Sequence, residues 1–354
     1  MTRQDRIAAL KAAAKQRILI LDGAWGAMIQ KKGLVEADYR GERFADHPGQ
    51  LKGNNDILCL TRPDIVAELH DAYYAAGADI SETNTFSSTA IAQADYELQG
   101  AVRDINLAGA RLAREAADRW TAKTPDKPRF VAGSMGPLNR MLSMSSDVND
   151  PGARLITFDQ VYASYREQAL ALYEGGVDMF LLETITDTLN VKAGIKAILD
   201  LTDEGYETLP IWISGTITDR SGRTLSGQTV EAFWNSVKHA KPFAVGLNCA
   251  LGAELMRPHI AELARIADTL VSAYPNAGLP NAMGEYDETP DQTGHFLHEW
   301  AEHGLVNILG GCCGTTPAHI AHVAEEVCDL KPRAIPERPK AMRLAGLEPF
   351  ELVS

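Results

Sequence analysis

No run of apolar residues in this 354-residue chain approaches the roughly 20 needed to cross a bilayer. The first 17 residues, MTRQDRIAALKAAAKQR, have neither the apolar stretch nor the small-residue cleavage site of a secretion signal. They read as an amphipathic helix, and the expected location is the cytoplasm. Positive charge is also scarce. Lys and Arg total 34 against 47 Asp and Glu, a net charge of −13. An acidic surface repels phosphate backbones and anionic lipid, so neither nucleic acid nor a membrane is expected as partner. Cysteine is sparse too, with five residues at positions 59, 249, 312, 313 and 328. That is too few for a disulfide framework in a chain of this length. The dinucleotide fingerprint G-x-G-x-x-G is absent after the first apolar run, where Gly23-Ala24-Trp25-Gly26 stands instead. Composition excludes wholesale disorder, with 45% apolar and 23% charged residues.

What is present is an alternation. Eight short apolar runs occur at 18–21, 78–81, 129–132, 178–182, 211–214, 243–247, 269–273 and 306–309. Runs of four or five residues suit parallel strands buried on both faces. Between them lie segments with helical spacing at 63–76, 158–175, 188–201, 230–240, 254–266, 293–303 and 317–328. Pro63 and Pro317 suit first helical turns, and Gly77, Gly176 and Gly304 suit helix ends. Eight strand–helix units in this length predict an α/β protein built as a single (β/α)8 TIM barrel over 1–331. A long polar insertion at 30–60, after the first strand, should cover one end of the barrel. Residues 332–354 are rich in Pro and charge, without helical period, and read as an extended, linker-like tail.

Barrel enzymes draw their active sites from the C-terminal ends of the strands. Every predicted strand here ends in polar or glycine-rich sequence. Cys249 follows the sixth strand and the adjacent pair Cys312-Cys313 follows the eighth. Those strands are second neighbours in a barrel, so their ends can face one site. Three thiolates with a fourth position open is the donor count of a catalytic zinc site, whereas a structural site normally takes four protein ligands. A cysteine nucleophile is the weaker alternative, because no histidine follows a strand end to act as base. Cys59 and Cys328 read as inert. Asp22 and Glu183 are placed to recognise a ligand ammonium group, and the backbone N–H groups from Gly23 and Ala24 to Gly26 are placed to hold a carboxylate. Together they would bind an amino acid. Trp25 would pack over the barrel as a lid. Asp187 is as well explained as a helix cap; Glu82 and Asn84 are less specific. Asn276, after the seventh strand, is either a fourth metal ligand displaced by substrate or a turn cap.

Several motifs carry a resemblance. They are Leu21-Asp22-Gly23-Ala24, Glu82-Thr83-Asn84-Thr85-Phe86, Gly133-Ser134-Met135-Gly136-Pro137, Glu183-Thr184-Ile185-Thr186-Asp187, Gly246-Leu247-Asn248-Cys249 and Gly310-Gly311-Cys312-Cys313-Gly314-Thr315-Thr316-Pro317. Over roughly residues 10–330 the chain resembles the homocysteine methyltransferase family. Within it, the sequence looks most like the N-terminal homocysteine-binding module of cobalamin-dependent methionine synthase. The stretch 343–349 is similar to the linker that follows that module. The resemblance implies a barrel holding one zinc ion (Zn2+) on Cys249, Cys312 and Cys313, with L-homocysteine held by Asp22, Glu183 and the backbone after Asp22. It implies that the zinc-bound thiolate accepts a methyl group from methylcobalamin, ultimately from 5-methyltetrahydrofolate, to give methionine. The cobalamin- and folate-binding module would then be a separate polypeptide, or the chain an excised fragment. The alternative is a self-contained transferase using a small donor such as S-methylmethionine or betaine. One departure is Ala27, where the family usually has Thr.

Overall fold

The computed structural model describes residues 1–218 and 221–352. Eight parallel strands are present: β1 Leu19–Ile20, β2 Ile80–Glu82, β3 Phe130–Met135, β4 Met179–Ile185, β5 Ile211–Gly215, β6 Ala244–Gly252, β7 Leu270–Asn276 and β8 Ile308–Leu309. Their order around the sheet is β1-β8-β7-β6-β5-β4-β3-β2. The ring closes between β1 and β2 through the bridge Leu21–Ile80, with Asp22 N–H on Ile80 O at 3.1 Å and Asp79 N–H on Ile20 O at 2.7 Å. The molecule is thus a (β/α)8 TIM barrel.

Strand alternation sorts the apolar runs into two layers. Leu19, Leu21, Ile80, Phe130, Ala132, Met179, Leu181, Trp212, Ala244 and Ile308 fill the barrel interior. Ile20, Val131, Phe180, Ile213 and Val245 face the surrounding helices. The N-terminal helix Arg3–Gln16, started by a Thr2/Asp5 capping box, joins Leu10 and Ala14 to the interior cluster and plugs the lower end. Ion pairs tie that end together. Asp178, fully buried, accepts from Arg6 at 2.6 Å and Arg114 at 2.7 Å. Asp79 accepts from both Arg17 terminal nitrogens at 2.6 and 2.8 Å. Where β6 and β7 approach most closely the sequence supplies Gly246, whose missing Cβ would lie 1.9 Å from Ser272 Oγ.

Three features differ from the sequence expectation. The longest helix, Val102–Lys123, has no counterpart among the predicted helical segments. Its buried stripe includes Asn106, Gly109, Ala110, Ala113, Arg114 and Ala117, so small and polar residues carry the period that large apolar ones usually announce. Second, β3, β4, β6 and β7 run three to five residues past the predicted ends, into the polar sequence. Third, the tail folds. Strands β9 Met342–Ala345 and β10 Pro349–Leu352 form an antiparallel hairpin, and Thr229 N–H donates to Leu347 O at 3.1 Å. Ahead of it, buried Arg333 donates to the carbonyls of Ala264, Ala267 and Thr269. The last two residues of the predicted tail, 353 and 354, lie outside the described residues. The insertion at 30–60 packs Leu51, Ile57 and Leu58 against Ile65, Leu69 and Ile105, and Gly53, Asn54 and Asn55 reach the mouth. Among the described residues no helix is long and apolar enough to cross a membrane.

Candidate metal centre and adjoining pocket

The sulfurs of Cys249, Cys312 and Cys313 lie within 4.8 Å of one another. Local backbone distortion brings them there. The β6–β7 register shifts between Asn248 and Gly252, and Cys249 and Ala250 take φ of +61° and +57°. Non-glycine residues in that region cost on the order of 1 kcal/mol or more each, and such outliers concentrate at functional sites. Asn248 braces the distortion. Its Oδ1 accepts from Ser214 Oγ at 2.7 Å and Thr184 N–H at 3.1 Å, and its Nδ2 donates to Thr184 Oγ1 at 2.8 Å. Opposite, Cys312 N–H donates to Pro275 O at 2.8 Å and Ala277 N–H to Cys313 O at 2.9 Å. Thr315 Oγ1 donates to Cys312 O at 2.7 Å. Gly314 turns the chain at φ +82°, and a Cβ there would lie 2.3 Å from Tyr286 Cβ.

Cys249 Sγ and Cys313 Sγ are 3.8 Å apart. Tetrahedral thiolates at about 2.3 Å from a zinc ion stand about 3.8 Å from each other, so spacing and donor chemistry fit that ion. Their mutual hydrogen bonds set the three thiols apart. Hydrogen bonds from Cys249, Cys312 and Tyr286 pull the Cys313 thiol down to about 3 against the effect of burial. Hydrogen bonding to Cys249 and Cys313, with burial, pushes Cys312 well up.

Beside the sulfurs lies a trio of carboxyls. Asp22 is buried at the end of β1, and its Oδ2 accepts from Ser81 Oγ at 2.7 Å, Glu82 N–H at 2.9 Å and Trp25 Nε1 at 3.1 Å. Glu183, buried on β4, accepts from Ser134 Oγ. Glu82 adjoins both. Burial pushes Asp22 up to about 7 despite its three donors. Burial also raises Glu183 to about 7, with Ser134 opposing and the Asp22 charge adding. Burial, then the charges of Glu183 and Asp22, raise Glu82 well above the carboxylate range. Among the described residues, Asp22 Oδ1 and Glu82 Oε1 are buried with no hydrogen-bond partner. Buried polar atoms are nearly always paired, so orphans grouped in one place point to a ligand.

The sulfurs, Glu82 and Glu183 open into one cavity of about 920 Å³, lined also by Gly23, Ala24, Trp25, Tyr274 and Tyr286. Of the residues singled out in the sequence, Gly23, Ala24, Trp25, Glu183, Cys249, Cys312 and Cys313 meet there, and Asp22 lies buried behind the lining, hydrogen-bonded to Glu82 and Trp25. Two details differ from expectation, and Asn276 takes the turn-holding one of its two readings. Ala24 N–H is taken by Thr315 Oγ1 at 3.1 Å, so it is not a free donor. Trp25 forms a wall, edge-on to His70 with ring centroids 4.6 Å apart. Asn276 is buried, and its Oδ1 accepts from Cys313 N–H at 3.1 Å, steadying the cysteine turn. Asp187 caps the helix Thr188–Asp203 through Leu189 and Asn190 N–H. Cys59 is buried and Cys328 exposed, and neither belongs to the cluster. Sequence reasoning passed over Tyr274, Ser134 and Tyr286 and undervalued Glu82. Inward alternation along β7 was the available signal for Tyr274, since Ser272 and Asn276 share its face.

Comparison with known proteins gives a family and a fold. The family model described as homocysteine S-methyltransferase matches residues 19–327. The homocysteine methyltransferase MmuM from Escherichia coli has a similar structure. In its metallated form the TM-score is 0.69 at 24% identity, covering 90% of this chain and 98% of that one. The oxidized form gives 0.69 at 24%, covering 88% and 96%. The apo form gives 0.64 at 23%, covering 88% and 97%. At these identities the likeness is one of fold.

Proposed function

This chain belongs to the homocysteine S-methyltransferase family, and from that premise we propose that it methylates the thiol of L-homocysteine to give methionine. The observation that carries the reading is the meeting of three cysteine sulfurs with Glu82 and Glu183 in one cavity, with the buried Asp22 carboxyl held just behind its wall. That pairing suits an amino acid bearing a thiol. Residues 1–331 would form the working barrel, with 332–354 appended, in a cytoplasmic enzyme needing neither nucleic acid nor membrane.

Cys249, Cys312 and Cys313 would hold zinc. When bound, zinc keeps a coordinated thiol ionised near neutral pH, so no general base is needed at transfer. The chain's own groups do the rest. The unpartnered oxygens Asp22 Oδ1 and Glu82 Oε1 receive the substrate ammonium, which draws protons off the raised carboxyls. Glu183, fixed by Ser134, completes the negative pocket. Trp25 closes the side wall and excludes water. Asn276 acts by holding the Cys313 turn.

The donor has two readings. A small methyl donor such as S-methylmethionine or betaine has the better support, because this chain covers 98% of the MmuM chain. Methylcobalamin on a partner module is favoured by a different observation. Phe86, Met144, Val148, Leu225, Leu279 and Met283 are exposed large apolar residues, and all lie in segments leaving the C-terminal ends of strands. Apolar side chains gathered on one face suit a docking protein. The test is incubation with homocysteine and, separately, S-methylmethionine, betaine or methylcobalamin, with methionine measured. Methionine from a sulfonium or betaine donor supports the first reading; methionine from methylcobalamin alone supports the second. No methionine from any of them, with zinc bound, would sink the assignment.

A further inference from the structure

Behind the pocket wall a buried chain of hydrogen bonds runs from His70 through Ser81 to Asp22, and the proposed chemistry uses only its last member. His70, on the helix Pro63–Ala75, is fully buried, and its Nδ1 stands 2.8 Å from Ser81 Oγ. Ser81 Oγ stands 2.7 Å from Asp22 Oδ2. The direction of each bond follows from the partners. Asp22 Oδ2 already receives the Glu82 N–H and the Trp25 indole N–H, so it is an acceptor. Ser81 must spend its single proton on that oxygen and can then only accept from the imidazole. His70 is therefore protonated on Nδ1. Its Nε2 carries the lone pair, in agreement with Nε2 being buried without a partner. Burial also holds the imidazole neutral.

We propose that His70, acting through Ser81 in its Nδ1–H form, is a positioning residue that fixes the Asp22 carboxylate so that Oδ1 faces the substrate ammonium. Three donors converge on Oδ2 and none on Oδ1. A carboxyl held by one oxygen presents the other in a fixed direction, and its rotamer entropy is already lost before the ligand arrives. The edge contact of Trp25 on the imidazole links the same histidine to the pocket wall. His70 touches no substrate. Its effect should appear as selectivity for the amino group, which packing alone would not produce. The inference rests on the reading that the pocket takes an amino acid.

The test compares two ligands by calorimetry on the zinc-loaded protein. One is homocysteine; the other is 4-mercaptobutanoate, the same thiol acid without the amine. Ser81→Ala and His70→Phe should each weaken homocysteine on the order of tenfold, as for one lost hydrogen bond to a charged group, and leave the des-amino ligand within about twofold. His70→Asn, whose amide nitrogen can take the place of Nδ1, should recover most of the loss. Histidine ring 15N shifts in the unaltered protein should show a His70 ring protonated on Nδ1 only. Equal losses for the two ligands, no loss for either, or a ring protonated on Nε2 would each overturn the proposal. Failure of the unaltered protein to bind homocysteine would remove the amino-acid reading, and the 15N spectrum would still decide the hydrogen-bond chain.

Discussion

Cys249, Cys312 and Cys313 make different demands on the chain. The adjacent pair needs a turn, which Gly314 and Thr315 supply, whereas Cys249 reaches the cluster only through a left-handed φ of +61°. If zinc is the occupant, Ala at any of the three should abolish stoichiometric metal, while Cys59→Ala and Cys328→Ala should retain it. Metal analysis decides, and retention in two of the three would sink the assignment. Glu183→Gln should weaken homocysteine binding by about 1.5–3 kcal/mol, as for removal of a charged partner; unchanged affinity would make Glu183 structural. The carboxyls also set a pH dependence. Asp22 and Glu183 are raised to about 7 in the folded protein, against about 4 when unfolded. Between those values the folded state keeps protons that the unfolded state has lost. Their contribution to stability is therefore full below about 4 and lost as pH rises through 7. Thermal melts should show that decline flattened in Asp22→Asn and Glu183→Gln, and identical slopes would contradict it. The sequence made the thiols legible because a cysteine pair among glycines has little packing use. Glu82 was hidden because an acid after a strand is equally a helix cap until a second and third carboxyl are seen beside it.

At the scale of elements, the eight strands were legible because short apolar runs buried on both faces have few other uses. Their ends were not. β6 continues through Asn248 and Cys249 to Gly252, because side chains from β4 and β5 satisfy its polar positions, and no local rule reports such partners. The helix Val102–Lys123 escaped because alanine, glycine and asparagine form its buried stripe. The hairpin β9–β10 escaped because its pairing is settled by docking at Thr229, about 120 residues upstream. Gly246 tests how tightly β6 and β7 are set. A methyl group there would lie 1.9 Å from Ser272 Oγ and 2.3 Å from its carbonyl oxygen. The backbone atom cannot rotate away, so Gly246→Ala should destabilise by about 1–3 kcal/mol or more. Urea unfolding would measure it, and a change under about 0.5 kcal/mol, the range of ordinary surface substitutions, would mean that the strands separate easily.

The whole molecule divides its tasks between two ends. The upper face gathers the cysteine cluster, its strained backbone and the raised carboxyls; the lower face gathers buried ion pairs. Asp178 is the centre of the lower set, accepting from Arg6, Arg114 and Val131 N–H, with no exposed surface of its own. It begins the approach to β4, whose far end carries Glu183, so one strand joins the two faces. Removing one partner of a buried pair leaves its counter-charge without compensation, at a cost of about 3–5 kcal/mol. Asp178→Ala should therefore lower stability by that order. The barrel interior between the faces is packed with Phe130, Met179, Leu181 and Trp212, and it should isolate the pocket from the loss. At a temperature where the variant remains folded, its zinc content and homocysteine affinity should match those of the parent. Urea unfolding and calorimetry on the same sample make the comparison. If affinity fell in step with stability, the two faces would be mechanically coupled along β4, and the barrel would have to be treated as one cooperative site instead of a scaffold carrying one.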